Sequence, residues 1–391
     1  MKPTLLFIVL ILACNLNAQS FKEVSATHLP AIVKSGKNSM DAQIADIDRD
    51  GDLDIVIAVE FYKNVILLND GTGNFKDGSS LLPNKERKTT SKPYPYYPYH
   101  DSEDVMIEDI NKDGLLDILF VTEDDKKNEL YIQLKGGTFK DASDQFPVEG
   151  VSNALIKGDF DGDGWTDFIV GNNGQNNYLR NINGVLVDET QKRLPIRNDV
   201  TQDIEVGDYD KDGDLDLLIG NEDDNRLLQN NGKGVFTDVT ETTLLNGISE
   251  ETREADFADV DQDGDLDVYF ANIKMFTTKT PKQRLLINEG GKYKDQGAQQ
   301  LQLGNVVGLL DGDFYDIDQD GDLDLLQGGM NGFFIALNDG KGNFKDATSA
   351  LFQTSVNGIV VDVEVADFNS DGKPDIYLSC FRGGDQLFLG E

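Results

Sequence analysis

Cysteine is nearly missing from this chain. Only Cys14 and Cys380 occur in 391 residues, so a chain that has lost its first residues keeps one thiol and no internal disulfide. Histidine is as scarce, with His28 and His100 alone, so imidazole cannot supply a repeated metal site and there is no Ser-His-Asp spacing. Basic residues are a minority, 35 Lys and Arg against 71 Asp and Glu. The net charge of -36 repels a phosphate backbone and excludes nucleic acid as a partner. Past residue 20 no apolar run is long enough to span a bilayer. Proline-rich and serine-rich linkers are absent too, so composition marks no domain boundary.

The first residues, MKPTLLFIVLILACNLNA, carry one lysine, an apolar stretch from Leu5 to about Ala13 and a small residue at Ala18. Residues 1–18 read as a secretory leader cleaved after Ala18, which makes the protein exported: secreted, periplasmic or held at the outer membrane or cell surface. The run Ile-Leu-Ala-Cys ending at Cys14 also resembles a lipobox, and a lipid anchor on Cys14 is the alternative reading. An exported chain without disulfides needs another staple.

Aspartate is what the chain has in excess. DIDRDGDLD, from Asp46 to Asp54, places five carboxylates in nine residues. Repulsion at that spacing is costly unless a cation sits among them. The pattern returns six more times, starting at Asp109, Asp159, Asp208, Asp259, Asp316 and Asp367. A period of roughly 50 residues is the mark of a repeat array, each unit burying its faces against its neighbours.

Position by position, the loops are nearly uniform. Position 1 is Asp46, Asp109, Asp159, Asp208, Asp259, Asp316 and Asp367; position 3 is Asp48, Asn111, Asp161, Asp210, Asp261, Asp318 and Asn369. Position 5 is Asp50, Asp113, Asp163, Asp212, Asp263, Asp320 and Asp371; position 9 is Asp54, Asp117, Asp167, Asp216, Asp267, Asp324 and Asp375. Position 6 is always glycine, as a backbone turning with positive φ around an ion requires. Position 7 holds Asp52, Leu115, Trp165, Asp214, Asp265, Asp322 and Lys373; since Leu, Trp and Lys cannot ligate a hard cation, it is expected to offer its backbone carbonyl. Position 2 is always apolar and is expected to face the core, while position 4 is expected to face water. An oxygen-only ligand set suits calcium, about seven ions in all, rather than zinc or magnesium.

An EF-hand would follow such a loop with a bidentate Glu at position 12 and a helix. Here position 12 is Ile57, Phe120, Val170, Ile219, Phe270, Gln327 or Leu378, inside short runs such as DIVIAV and DVYFA that read as buried strands. The loop therefore clips a β-hairpin. A third strand such as NVILLND and an outer one after a glycine turn, as in GTGNFKD, complete each unit. The expected fold is all-β: a seven-bladed β-propeller with four antiparallel strands per blade, occupying residues 19–391. The chain ends in a third strand, DQLFLGE, and begins with SFKEVSA, which matches the outer-strand pattern NFKDATS. Residues 20–26 are thus expected to complete the last blade.

The seven copies of D-x-[DN]-x-D-G-x-x-D, each running into a strand, resemble the FG-GAP or VCBS repeats of integrin-α-like β-propellers. The match is closer to bacterial VCBS-type members, because the Phe-Gly and Gly-Ala-Pro signatures are largely missing. The resemblance implies a calcium-dependent extracellular binding or adhesion propeller, with lectin function or lyase activity in some relatives.

Two segments break the repeat on the face opposite the loops. One carries Tyr94, Tyr96, Tyr97, Tyr99 and His100, the other Lys274, Phe276, Lys279, Lys282 and Arg284. Both are basic islands, one of them aromatic, suited to stacking on sugars or docking an acidic protein; capping the propeller mouth is the structural alternative. Five residues before each loop stand Asp41, Asp104, Ala154, Asp203, Glu254, Asp311 and Asp362. These are expected to accept backbone hydrogen bonds between blades, with cation binding as the other reading. No catalytic residue is assigned. A calcium-dependent polysaccharide lyase or other carbohydrate-active enzyme is the rival to a binding module.

Overall fold

In each unit a strand that is only half buried enters the aspartate loop and a largely buried one leaves it. Second strands such as Asp54–Val59, Asp117–Thr122 and Asp216–Asn221 are buried from end to end, because neighbouring sheets cover both of their faces. The computed structural model describes residues 20–391 except 35, 85, 87–97, 124–125, 245–249, 276–279, 304–307, 353, 355 and 357. The leader, Cys14, Tyr94, Tyr96, Tyr97, Phe276 and Lys279 lie outside the described residues.

The protein is all-β with mostly antiparallel sheets, and helix is confined to short turns such as Ser25–His28 and Thr190–Arg193. The first unit pairs Ser39–Ala45, Asp54–Val59, Val65–Asn69 and Phe75–Asp77 in chain order. The next four units, opened by the strands Ser102–Glu108, Ser152–Gly158, Asp199–Gly207 and Glu251–Ala258, repeat that order. The sixth has a shortened first strand, Asp313–Tyr315, and an extra parallel strand, Leu301–Gln302, beside Phe344–Asp346. In the seventh, Ile359–Ala366, Asp375–Phe381 and Gln386–Gly390 are followed in space by Phe21–Glu23, which pairs antiparallel with the last strand in the register Phe21 to Gly390.

That N-terminal segment repeats the chemistry of the other outer strands. After the outer strand of five units a hydroxyl accepts the backbone N–H of the third strand, as Ser79 does from Ile66, Thr190 from Tyr178 and Thr240 from Leu227; the fifth unit has Gly297 there. Ser25 does the same for Leu387, at 2.8 Å, and Phe21 stacks on Phe352 with centroids 5.1 Å apart.

Neighbouring units are tied at the loop end. The amide at the close of a third strand donates to the position 2 carbonyl of the preceding loop: Gln133 to Ile47, Asn181 to Ile110, Asn230 to Phe160, Asn338 to Val260 and Asn69 to Phe368. The last of these joins the first unit to the seventh. The first strand of the first unit packs on both that of the second and that of the seventh.

Candidate metal centres and central channel

Each loop wraps its own backbone around the carboxylate at position 1. In the first, Gly51 N donates to Asp46 Oδ2 at 3.1 Å, Asp50 N to Asp48 Oδ1 at 3.3 Å and Asp52 N to Asp50 Oδ1 at 3.1 Å. The bond from position 6 to position 1 recurs at Gly114, Gly164, Gly213, Gly264, Gly321 and Gly372. These glycines all have positive φ, between 83° and 99°. Position 2 is buried in all seven loops, from Ile47 to Phe368.

The loops bring carboxylates together as the spacing implies. Oxygens of Asp46, Asp48 and Asp50 lie within 4.8 Å of one another, as do those of Asp159, Asp161 and Asp163, of Asp208, Asp210 and Asp212, and of Asp259, Asp261 and Asp263. Asp46 Oδ1 and Asp259 Oδ1 are buried yet accept no hydrogen bond, a deficit that a cation would satisfy. A hard cation therefore fits this donor set.

Position 9 has a job the spacing did not disclose. These seven aspartates are buried at the start of the second strand and brace the hairpin. Asp54 accepts from Ile47 N and Asn69 N, both at 2.9 Å; Asp267 accepts from Val260 N at 3.0 Å and Asn288 N at 2.8 Å. Asp375 ties Phe368 N to Gly390 N in the same way. Burial raises Asp54, Asp167 and Asp375 to about 6 and Asp117, Asp216, Asp267 and Asp324 to about 7. An oxygen that accepts one N–H keeps a lone pair, so bracing and ligation are compatible.

Position 4 is exposed, and all seven share a left-handed backbone there, Gly162 and six non-glycine residues: Arg49 (φ 66°), Lys112 (55°), Lys211 (62°), Gln262 (61°), Gln319 (60°) and Ser370 (58°). Four of the side chains reach the next loop. Gln262 Nε2 donates to Gly321 O at 3.0 Å, Gln319 Nε2 to Gly372 O at 3.1 Å, Lys112 bonds Gly164 O, and Lys211 pairs with Asp265. Lys112 also stands 4.3 Å over the ring of Trp165.

The third loop differs from the rest. Asp161 is ion-paired with Arg180 at 2.8 Å and Arg193 at 3.1 Å, and Asp163 with Arg180 at 2.9 Å. Among the described residues, no other loop has an ion pair to position 1, 3 or 5.

On the opposite face, Tyr99 is half-buried and His100 nearly fully buried, beside Tyr62, Lys63, Asn64 and Glu129. His100 O accepts from Phe61 N at 2.9 Å, and its Nε2 is 3.9 Å from Glu129 Oε1. Lys274 and Lys282 are exposed. Arg284 is committed inside the protein, paired with Glu250 at 2.8 Å and with Asp295.

At the same end lies a cavity of about 180 Å³ whose lining includes Asp41, Asp104, Asp203, Arg253 and Glu254. A β-bulge in six first strands, between Ser39 and Asp41 and at its equivalents, turns the following residue inward. Those residues are Asp41, Asp104, Ala154, Asp203, Glu254 and Asp362. Asp41 accepts from Val105 N at 2.9 Å, Asp104 from Leu155 N at 2.6 Å and Asp203 from Ala255 N at 3.0 Å, so three of the acids link units through the backbone. Two residues deeper stand Glu205, Asp256, Asp313 and Glu364. Burial, helped by mutual repulsion, pushes Asp104 and Glu205 to about 8 and Asp313 to about 7, and holds Asp41, Glu254, Asp311 and Asp362 well above the usual carboxylate range.

Fold and site together define an all-β repeat protein with an aspartate-loop hairpin in each unit. The model of the FG-GAP-like repeat family matches residues 159–219, 208–270 and 283–378, more than half of the chain, and the chain belongs to that family. No curated protein matches it. Among solved structures it is similar to BBS1N in complex with ARL6DN (11% identity, 91% of this chain and 97% of that one, TM-score 0.54). It is also similar to the extracellular domain of BT4673 from B. thetaiotaomicron (14% identity, 95% of this chain and 40% of that one, TM-score 0.55). An Agrocybe aegerita lectin recognising non-reducing terminal N-acetylglucosamine aligns at 18% identity over 82% of each chain, with a TM-score of 0.47. At such identities the likeness concerns a β-propeller-like fold. No helix among the described residues is long and apolar enough to cross a membrane.

Proposed function

We propose that this protein is an exported, calcium-binding propeller of seven blades, closed by its N-terminal strand, that serves as a binding or adhesion module for an extracellular protein or glycan. The observation that carries the reading is the clustering of carboxylates at positions 1, 3 and 5, with buried oxygens at Asp46 and Asp259 that accept no hydrogen bond. Positions 1, 3, 5 and 9 would supply side-chain oxygens and position 7 its carbonyl, and the bound ion would neutralise the loop and lock the hairpin. Closure is supported by the pairing of Phe21–Glu23 with Gln386–Gly390 and by the Asn69 bond to Phe368.

Recognition is assigned to the face opposite the loops, where Tyr94, Tyr96, Tyr97, Lys279 and the exposed Lys274 and Lys282 interrupt a regular scaffold. Tyr99 is half-buried, His100 nearly fully buried and Arg284 ion-paired, so these three are assigned a supporting role. Glycan-array and pull-down binding should be lost on joint replacement of Tyr96 and Tyr97 by Ala, with the melting temperature unchanged. Retained binding would move the site elsewhere, and a fall of several degrees would make these tyrosines a structural cap.

A further inference from the structure

Three side chains that the other units lack, Arg180, Arg193 and Tyr178, reach the aspartate loop of the third. Arg180 stands in the third strand at the place of Leu68, Ile132, Gln229, Ile287, Leu337 and Leu389. Its Nε is 2.8 Å from Asp161 Oδ2 and its Nη2 2.9 Å from Asp163 Oδ2, so one planar guanidinium joins positions 3 and 5. Arg193, which ends the short helix Thr190–Arg193, brings its Nη2 to 3.1 Å from Asp161 Oδ2, and its guanidinium lies 5.1 Å over the Tyr178 ring. Tyr178, where the other six units have Leu or Ile, donates its hydroxyl to Asp167 Oδ2. In the first, fifth, sixth and seventh units that oxygen of position 9 accepts the N–H of position 2 instead.

These contacts leave the third loop satisfied. The first, second, fourth, fifth and sixth loops each keep a buried carboxylate oxygen that accepts no hydrogen bond, at Asp46, Asp117, Asp216, Asp259 and Asp322; among the described residues the third keeps none. The seventh keeps none either, but no base among the described residues is paired with its positions 1, 3 or 5. The Asp161 side chain is 6% exposed and that of Arg193 10%, so their pairing is shielded from water and from salt. Arg193 also donates to the Lys233 carbonyl of the fourth unit, whose Asn230 amide donates to Phe160 O, so the third hairpin is tied to its neighbour as well.

We propose that in the third unit Arg180, Arg193 and Tyr178 take the place of the ion, so that this hairpin and its junction with the fourth unit hold without calcium, and an ion enters only by displacing the guanidiniums. The inference rests on the reading that the other loops hold calcium. A guanidinium is part of the chain and stays when the solution is chelated, whereas a loop held by a bound ion opens when that ion is removed. Positions 3, 5 and 9 of the third loop are engaged by side chains of its own unit.

Hydrogen exchange of the full chain, followed by mass spectrometry in calcium and in EDTA, tests this. Chelation should speed exchange about tenfold or more in residues 46–59 and 259–272, and less than about twofold in residues 159–172. Arg180→Leu combined with Tyr178→Leu installs the residue types of other units and should fold in calcium as they do; in EDTA its residues 159–172 should exchange as fast as 46–59. A parent whose residues 159–172 speed up together with the other hairpins would overturn the proposal, and so would a folded variant that stays as slow there in EDTA as the parent. Where the double change does not fold, the contrast between hairpins in the parent decides. If no hairpin responds to EDTA, the calcium reading fails, and faster exchange over residues 159–172 in the variant than in the parent upholds the role of these side chains while equal exchange overturns it.

Discussion

Two guanidiniums make the third loop an internal competitor for its own cation. Arg180 and Arg193 already neutralise Asp161, and Arg180 also holds Asp163. The chain's single tryptophan, Trp165, sits at position 7 of that loop, so its fluorescence reports this site alone. Calcium should alter the emission only above the concentration that fills most other loops. Arg180→Ala should lower that midpoint by about tenfold, the effect of removing one nearby like charge in a partly exposed site; an unchanged midpoint would exclude the competition. Asp385 offers a second residue-scale test. Four units place Asn64, Asn128, Asn176 or Asn225 where their oxygen accepts the N–H of the second strand; the seventh uses Asp385, which accepts from Cys380 N at 3.0 Å, Ser39 Oγ at 2.8 Å and Tyr377 Oη at 2.7 Å. Burial raises Asp385 to about 7, against the lowering effect of these three hydrogen bonds. The folded state thus binds a proton that the unfolded state has released. Stability tied to this group is full below about pH 4 and is lost as pH rises through 7. Asp385→Asn should therefore stabilise the protein at pH 8 by on the order of 3 kcal/mol, less at pH 5 and hardly at all at pH 4. An equal shift at all three values in thermal melts would show that charge is not the cause.

At the level of elements, the hairpins were legible because two signals coincide: the aspartate-glycine loop fixes a turn, and a run such as DIVIAV fixes a doubly buried strand. The braces were not. Asp54 and its equivalents read as ligands by spacing, yet their backbone bonds depend on where the third strand returns, which no local pattern encodes. Position 4 read as solvent-facing, which is correct for exposure; its reach to the next loop depends on the stacking of units. The N-terminal strand was legible from the likeness of SFKEVSA to NFKDATS, down to Ser25 standing where Thr348 bonds Ile335. Deleting residues 20–26 removes the Phe21 stack and leaves Gln386–Gly390 as an unpaired edge. Aggregation and a clear loss of melting temperature are expected, since burial of a phenylalanine side chain alone is worth about 1.5–3 kcal/mol. A soluble truncation of parental stability would mean that the strand is dispensable.

For the whole molecule, the acidic balance has two poles, the loops at one end of the first strands and the buried acids Asp41, Asp104, Asp203 and Glu254 at the other. The seven-fold repeat was plain in the sequence because it is periodic; the acids five residues before each loop were visible only as a column, and the approach of Asp41, Asp104, Asp203 and Glu254 to one cavity depends on the bulges before them. Without disulfides, calcium is the staple proposed for this fold. A site filled at ten times its dissociation constant contributes about 1.4 kcal/mol, so seven independent sites would contribute roughly 10 kcal/mol. The most direct measurement is a thermal melt of the full chain after exhaustive EDTA dialysis, repeated after calcium is restored. The expected result is a fall of well over 10 °C that calcium reverses and magnesium does not. A melting temperature indifferent to both treatments would contradict the claim that calcium holds these loops and, through them, the fold.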